Sequence, residues 1–300
     1  MAPLTTVVNT FGGTWFDKDW KARLDSPEFV KATKFYVDLV REHGESGAAQ
    51  SGFAECLNNI TQGKVAMWYD ATPEQMWDAI TSGTGGWLWP MEFEPRRGGT
   101  GPFGSTLTNW DPPHRLTSRV EDVQGISQQT LNQIDETIEP RDDGRRSWMR
   151  YVHSGIFVED WDNQYDGASR HTDFYLHTLR EYVTHFAGRP VAFATFDGPE
   201  ASMASDAFTT VGRALGLGDD TEAGARVRAR GPEGRLLDAV VDFRNPYFIG
   251  LRTEDQLLRF FGRNHWGAPV GISVHDFAAD ADAKRDETAW RGWLNGAFAA

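Results

Sequence analysis

Cysteine is nearly missing from this chain. One of its 300 residues, Cys56, is a cysteine, which excludes an internal disulfide framework. It sits in an apolar helical pattern, FAECLNNI, and reads as a buried thiol rather than a nucleophile. Positive charge is also scarce: 30 Lys and Arg stand against 43 Asp and Glu, for a net charge of −13. That balance argues against a nucleic-acid partner, because phosphate binding needs a basic face. No apolar run approaches the roughly 20 residues that span a bilayer, so no membrane partner is expected. The first residues, MAPLTTVVNTFGG, lack the basic start and apolar centre of a secretory leader, and a cytoplasmic location is the expectation. No Cys/His pair has metal-site spacing. No Ser-His-Asp order or paired-carboxylate motif stands out. No cofactor and no catalytic residue is therefore assigned, and binding is expected rather than turnover.

What the chain does have is apolar and aromatic mass, 40% and 13% of residues, ample for a packed core. Asp25-Ser26-Pro27-Glu28 opens a helix, with Ser26 as cap and Pro27 in the first turn. Phe29, Ala32, Tyr36 and Leu39 share one face of it. A second helix, Phe53 to Ile60, stops at Gly63. Lys64 to Ala71 alternates as a strand, and Thr72-Pro73-Glu74-Gln75 spells a capping box before a helix through Ile80. Strands are predicted at 91–96, 103–110, 115–120 and 130–138. Asp142-Asp143-Gly144 then turns a hairpin returning through 147–158. His171, Tyr175, Leu179, Tyr182 and Phe186 trace the apolar stripe of a long helix from about Gly167 to Phe186, stopped by Gly188-Arg189-Pro190. After Pro190 a similar order returns: strand, Gly198-Pro199-Glu200, helix, five strands, and a last helix bearing Trp290 and Trp293. This order allows an internal duplication.

Two family resemblances follow from these residues. VVNTFGGTWFDKDWKARLDSPEFVKATKFYVDL…GKVAMWYDAT, residues 7 to 72, resembles a fragment of the extracellular solute-binding proteins of ABC importers for sugars and polyols. Gly12-Gly13, Trp15-Phe16-Asp17, Leu24 to Glu28 and Met67-Trp68 carry that likeness. From about Val65 onward the chain resembles the SRPBCC, or START-like helix-grip, superfamily, and within it the actinobacterial proteins similar to chaperone-ATPase activators. Asp70-Ala71-Thr72-Pro73-Glu74-Gln75-Met76-Trp77, Gly98-Gly99, Trp110 to Leu116, Val152 to Gly155 and Thr184 to Pro190 carry the second likeness. The two meet at MWYDAT, which implies a fusion.

The resemblances imply an α+β fold of the helix-grip type, a curved antiparallel sheet wrapped on a long C-terminal helix. A degenerate second copy would follow it, and a small, mostly helical segment would precede it. The expected divisions are 1–62, 63–188 and 189–300. The implied function is binding of a small, mostly apolar molecule between sheet and helix. One alternative is a sugar- or polyol-binding component of an ABC importer; a further one is an interaction protein with a chaperone or another protein as partner. Candidate ligand contacts are Met67, Tyr69, Met149, Tyr151, His153, His171, Tyr175, Leu179 and Tyr182, set against the plainer reading that they fill a core. The alternative sugar set is Trp15, Asp17, Trp68 and Asp70, since an aromatic face stacks on sugar C–H groups and a carboxylate accepts from hydroxyls. Arg226-Val227-Arg228-Ala229-Arg230 puts three arginines on one strand face, read as a solvated, charge-paired surface.

Overall fold

The computed structural model describes residues 8, 13–16, 20–43, 71–121, 129–157 and 159–299. The chain divides into two compact units, Met1–Trp68 and Tyr69–Ala300. In the first unit, α1 (Pro27–His43) starts where Ser26 Oγ accepts from the Phe29 amide at 3.3 Å, the cap its sequence announces. Phe29 and Ala32 bury against Val8, with Trp15 packed beside them. Phe16 and Ala22 form an isolated antiparallel bridge.

The second unit begins with α2 (Pro73–Ile80), closed by the predicted capping box: Thr72 Oγ1 accepts from the Gln75 amide and Gln75 Oε1 from the Thr72 amide. Four strands follow, β1 (Thr106–Asp111), β2 (Arg115–Glu121), β3 (Gln129–Arg141) and β4 (Arg146–Phe157), paired in chain order as an antiparallel meander. The strand expected at 91–96 does not form. Pro95 interrupts it, and the Glu94 carboxylate accepts from both Arg96 and the Thr100 amide, folding the segment into a loop. α3 (Trp161–His185) begins six residues before the expected start. Its first turns expose Trp161 and Tyr165, so no apolar stripe marks them.

β5 (Ala192–Asp197) and α4 (Ala207–Ala214) lead into β6 (Arg226–Arg230), β7 (Leu236–Arg244), β8 (Phe248–Arg252), β9 (Gln256–Phe261) and β10 (Gly271–Asp276), and α5 (Ala283–Ala297) ends the described chain. These strands form a six-stranded antiparallel sheet in the order β5-β10-β9-β8-β7-β6. Among the described residues, two antiparallel sheets and five α-helices make the α+β class expected.

A local feature recurs between the two sheets. Gly101-Pro102-Phe103-Gly104 precedes β1, and Gly231-Pro232-Glu233-Gly234 precedes β7. In both, the first glycine amide donates to a carbonyl four residues on, at 2.8 and 2.7 Å. In both, the third residue is left-handed, with φ of 56° at Phe103 and 57° at Glu233. The Thr100–Thr106 bridge matches the Arg230–Leu236 pair of β6 and β7 in register.

α4 and α5 cover one face of the larger sheet, where Phe208, Val211, Trp290 and Leu294 meet Leu251, Leu258, Phe260 and Val274. α3 covers the other, its Phe174 stacked 4.9 Å from Phe248. Leu179 and Val183 of α3 also join Leu107, Leu116 and Ile138 of the smaller sheet. The helix therefore lies between the sheets, and residues 177–183 are all buried. An ordinary surface helix buries one stripe only.

Candidate functional site

In an antiparallel pair, facing residues point to the same side of the sheet. Glu136 faces Leu116 on β2 and Tyr151 on β4, and Ile138 faces Met149. Leu116, Ile138 and Met149 belong to the core shared with α3, so Glu136 and Tyr151 lie on that same inner face. Glu136 is 6% exposed. Burial, with Asp135 beside it, pushes its carboxyl up to about 8, so at neutral pH it carries a proton and is a potential donor. Tyr151 is half-buried, and its hydroxyl is raised by burial and by the nearby Glu136 and Tyr175. Tyr175 reaches this region from α3 and meets Trp89 edge-on at 5.9 Å. Trp89 also meets Phe103 at 5.9 Å, and both line an open groove of about 570 Å³.

Met149, Tyr151 and His153 thus share one face of β4, with Tyr175 near Tyr151; His153 sits at the exposed end. Leu179 is a packed core residue. His171 points to the larger sheet, stacked on Phe261 and edge-on to Phe248. Its Nδ1–H donates to the Gly167 carbonyl at 2.7 Å, and burial lowers its pKa to about 4, so it stays neutral. Tyr182 stacks on Phe277 and lines a separate cleft of about 680 Å³ with Gly83, Gly188 and Val191. Met67 and Tyr69 lie outside the described residues. Of the alternative sugar set, Asp17, Trp68 and Asp70 do also. Trp15 packs edge-on to Phe29 at 4.9 Å, and its buried indole N–H has no hydrogen-bond partner among the described residues.

Two features were not anticipated from the sequence. One is Glu136, although its alternation with Ile134 and Ile138 was the available signal. The other is a buried ionic layer between α3 and the larger sheet. There Arg259 pairs with Asp242, His177 Nε2 lies 3.3 Å from Asp242, and Arg252 reaches Glu181 at 2.7 Å. Desolvation opposes the Asp242 charge, but Arg259 and His177 outweigh it and hold the carboxyl below its ordinary range. His177, Glu181, Asp242 and Arg259 are enclosed, Arg252 only partly so, and the layer fastens helix to sheet. Among the described residues no group of His, Cys, Asp and Glu suits a metal ion, and no helix is long and apolar enough to cross a membrane.

Residues 1–105 match the bacterial extracellular solute-binding protein family. The match passes beyond residue 72, into α2 and the loop before β1. Over 129 residues the chain is 32% identical to a mannitol-binding protein of Pseudomonas aeruginosa, covering 41% of this chain and 28% of that protein; the chain thus spans little more than a quarter of this relative's length. Among solved structures, CalU16 of Micromonospora echinospora superposes with a TM-score of 0.31 at 18% identity, over 39% of this chain and 71% of its own. DynU16, from the dynemicin biosynthetic locus, gives 0.32 at 14% identity, over 78% and 94%. At such scores neither likeness bears on fold or function. The cytoplasmic expectation is corrected: an extracellular family and a mannitol-binding relative point to the periplasm or the cell exterior. The leader-like features sought in the first residues were the wrong guide to location. The N-terminal stretch is solute-binding-protein-like.

Proposed function

We propose that the chain binds a small hydroxylated solute of the polyol class, through the part that resembles solute-binding proteins. One observation carries this: the 32% identity to a mannitol-binding protein over 129 residues, within a family match on residues 1–105. Trp15 supports it chemically. An indole face suits the C–H surface of a polyol, and its unpartnered N–H suits a hydroxyl oxygen. Titration calorimetry with mannitol, its epimers and smaller polyols tests the reading. Saturable heat, lost in Trp15→Ala, is the expected result; no heat from any polyol at millimolar concentration overturns it.

A second reading concerns residues 71–299. We propose that they form two helix-grip-like halves, dividing near residue 189, and that the first takes a small apolar molecule between sheet and helix. The recurrence of short helix, antiparallel meander and long helix supports this, as does the shared turn before β1 and β7. Burial of ligand carbon would drive such binding, at roughly 25 cal/mol per Å² before ordering costs.

A further inference from the structure

The two meanders differ most on the faces turned toward their long helices. In the larger sheet, β9 and β10 present Leu258, Phe260, Ile272 and Val274, all fully buried. Trp290 and Leu294 of α5 fill the space above them. Beside them α5 also buries Asp286, near Asp276 at the end of β10. The corresponding strands of the smaller sheet, β3 and β4, present Glu136 and Tyr151 among Ile138 and Met149. Tyr151, Met149 and Tyr175 remain only half-buried.

A carboxyl on such a face needs a reason. Glu136 is more than nine-tenths buried, and no hydrogen bond joins it to any described residue. Its oxygens are not among the fully enclosed, unmet atoms of the described residues, so solvent or a ligand still reaches them. Both inner polar groups are donors in their neutral forms, and the inner face offers them apolar neighbours.

We propose that the inner face of the β1–β4 sheet is the binding site of a small apolar molecule bearing a carbonyl or ether oxygen, which the Glu136 carboxyl and the Tyr151 hydroxyl both meet as donors. The inference rests on the helix-grip reading above and is independent of polyol binding at the N-terminal part. The elevated pKa of Glu136 supplies the proton at neutral pH, and Trp89, which lines the open groove, meets Tyr175 edge-on.

Two fluorescent probes test this on the full chain. Prodan is an apolar ketone whose emission reddens when its carbonyl accepts a hydrogen bond; N-phenylnaphthylamine is apolar with no carbonyl. Prodan is expected to bind with reddened emission relative to an apolar solvent. Glu136→Leu is expected to weaken it about three- to tenfold, the worth of one hydrogen bond, and to remove the red shift. N-phenylnaphthylamine should bind Glu136→Leu as well as or better than the parent. Glu136→Gln keeps a donor and should restore most of the prodan affinity, which also guards against a leucine variant that folds poorly. Prodan binding equally well to parent and Glu136→Leu overturns the proposal alone. Failure of both probes to bind the parent overturns the proposal and the helix-grip pocket together, while leaving polyol binding unaffected.

Discussion

Arg259 holds Asp242 by one guanidinium nitrogen, 2.6 and 2.8 Å from the two carboxylate oxygens, with neither side chain more than 3% exposed. The pair bridges β9 and β7 across β8, and Gly250 of β8 makes room for it. A Cβ on Gly250 would stand 2.3 Å from both Arg259 Nη1 and Asp242 Oδ1. Removing one partner of a buried pair leaves an uncompensated charge, and Asp242→Ala is expected to lose about 3–5 kcal/mol in urea unfolding. Gly250→Ala should fall in the same range, by prising the pair apart rather than deleting it. The double replacement Asp242→Leu with Arg259→Met should recover much of the loss; if it is no better than Asp242→Ala, packing and not charge sets the cost.

The aromatic layer between α3 and the larger sheet gives a second expectation. Phe174 is fully buried, 4.9 Å from the rings of both Phe243 and Phe248. Phe174→Ala should destabilise by about 3–5 kcal/mol. Trp161→Ala, at an exposed ring on the same helix, should change stability by no more than about 0.5 kcal/mol. Comparable losses at both positions would contradict the enclosure of the helix.

Glu136 imposes a sign on the pH profile. Its folded pKa, about 8, lies above the ordinary carboxyl value of 4.5, so its share of stability is full below 4.5 and is lost as pH rises toward 8. The groups nearest it are Tyr151, opposite on β4, and Asp135, its neighbour in the strand; Tyr151 in turn has Tyr175 of α3 near it. His171 and His275, lowered to about 4 and 3, act oppositely, raising stability up to about pH 6.5. Between 6.5 and 8, among the described groups with shifted pKa values, the Glu136 contribution remains, a decline of about 1–2 kcal/mol. Urea midpoints across that window should fall for the parent and stay level for Glu136→Gln.

The repeated turns yield matched substitutions. Phe103 and Glu233 both hold a left-handed backbone, which costs a non-glycine residue about 1 kcal/mol. Phe103→Gly and Glu233→Gly should each raise stability by up to about that much in thermal unfolding. A loss at Phe103 would mean that its ring, although 71% exposed, contributes through Trp89.

Local signals in the sequence were reliable guides. The Thr72 capping box, the Ser26 cap and the Asp142-Asp143-Gly144 hairpin stand where the residues put them, because each depends on contacts within a few positions. The strand at 91–96 failed because Glu94 found partners inside its own loop. The stripe on α3 was legible only as one face. His177, Arg180 and Glu181 look like solvent positions in the sequence, and their burial depends on a sheet contributed from residue 236 onward. The same holds for Glu136: its alternation with Ile134 and Ile138 was available in the sequence, but nothing local told whether that face was filled. The cytoplasmic expectation failed because a leader pattern is a local signal, whereas the stretch similar to extracellular proteins points to the periplasm or the cell exterior.

Where two pleated layers clasp α3, at residues 177–183, the helix has no free side, and this makes repetition a poor guide to modularity. Cutting the chain near residue 189 would strip Phe174, His177 and Glu181 of their cover, and would leave Phe248, Asp242 and Phe261 facing water on the other fragment. The halves echo one another in order, yet each completes its interior with material from the other, so they should melt as one body and not in succession.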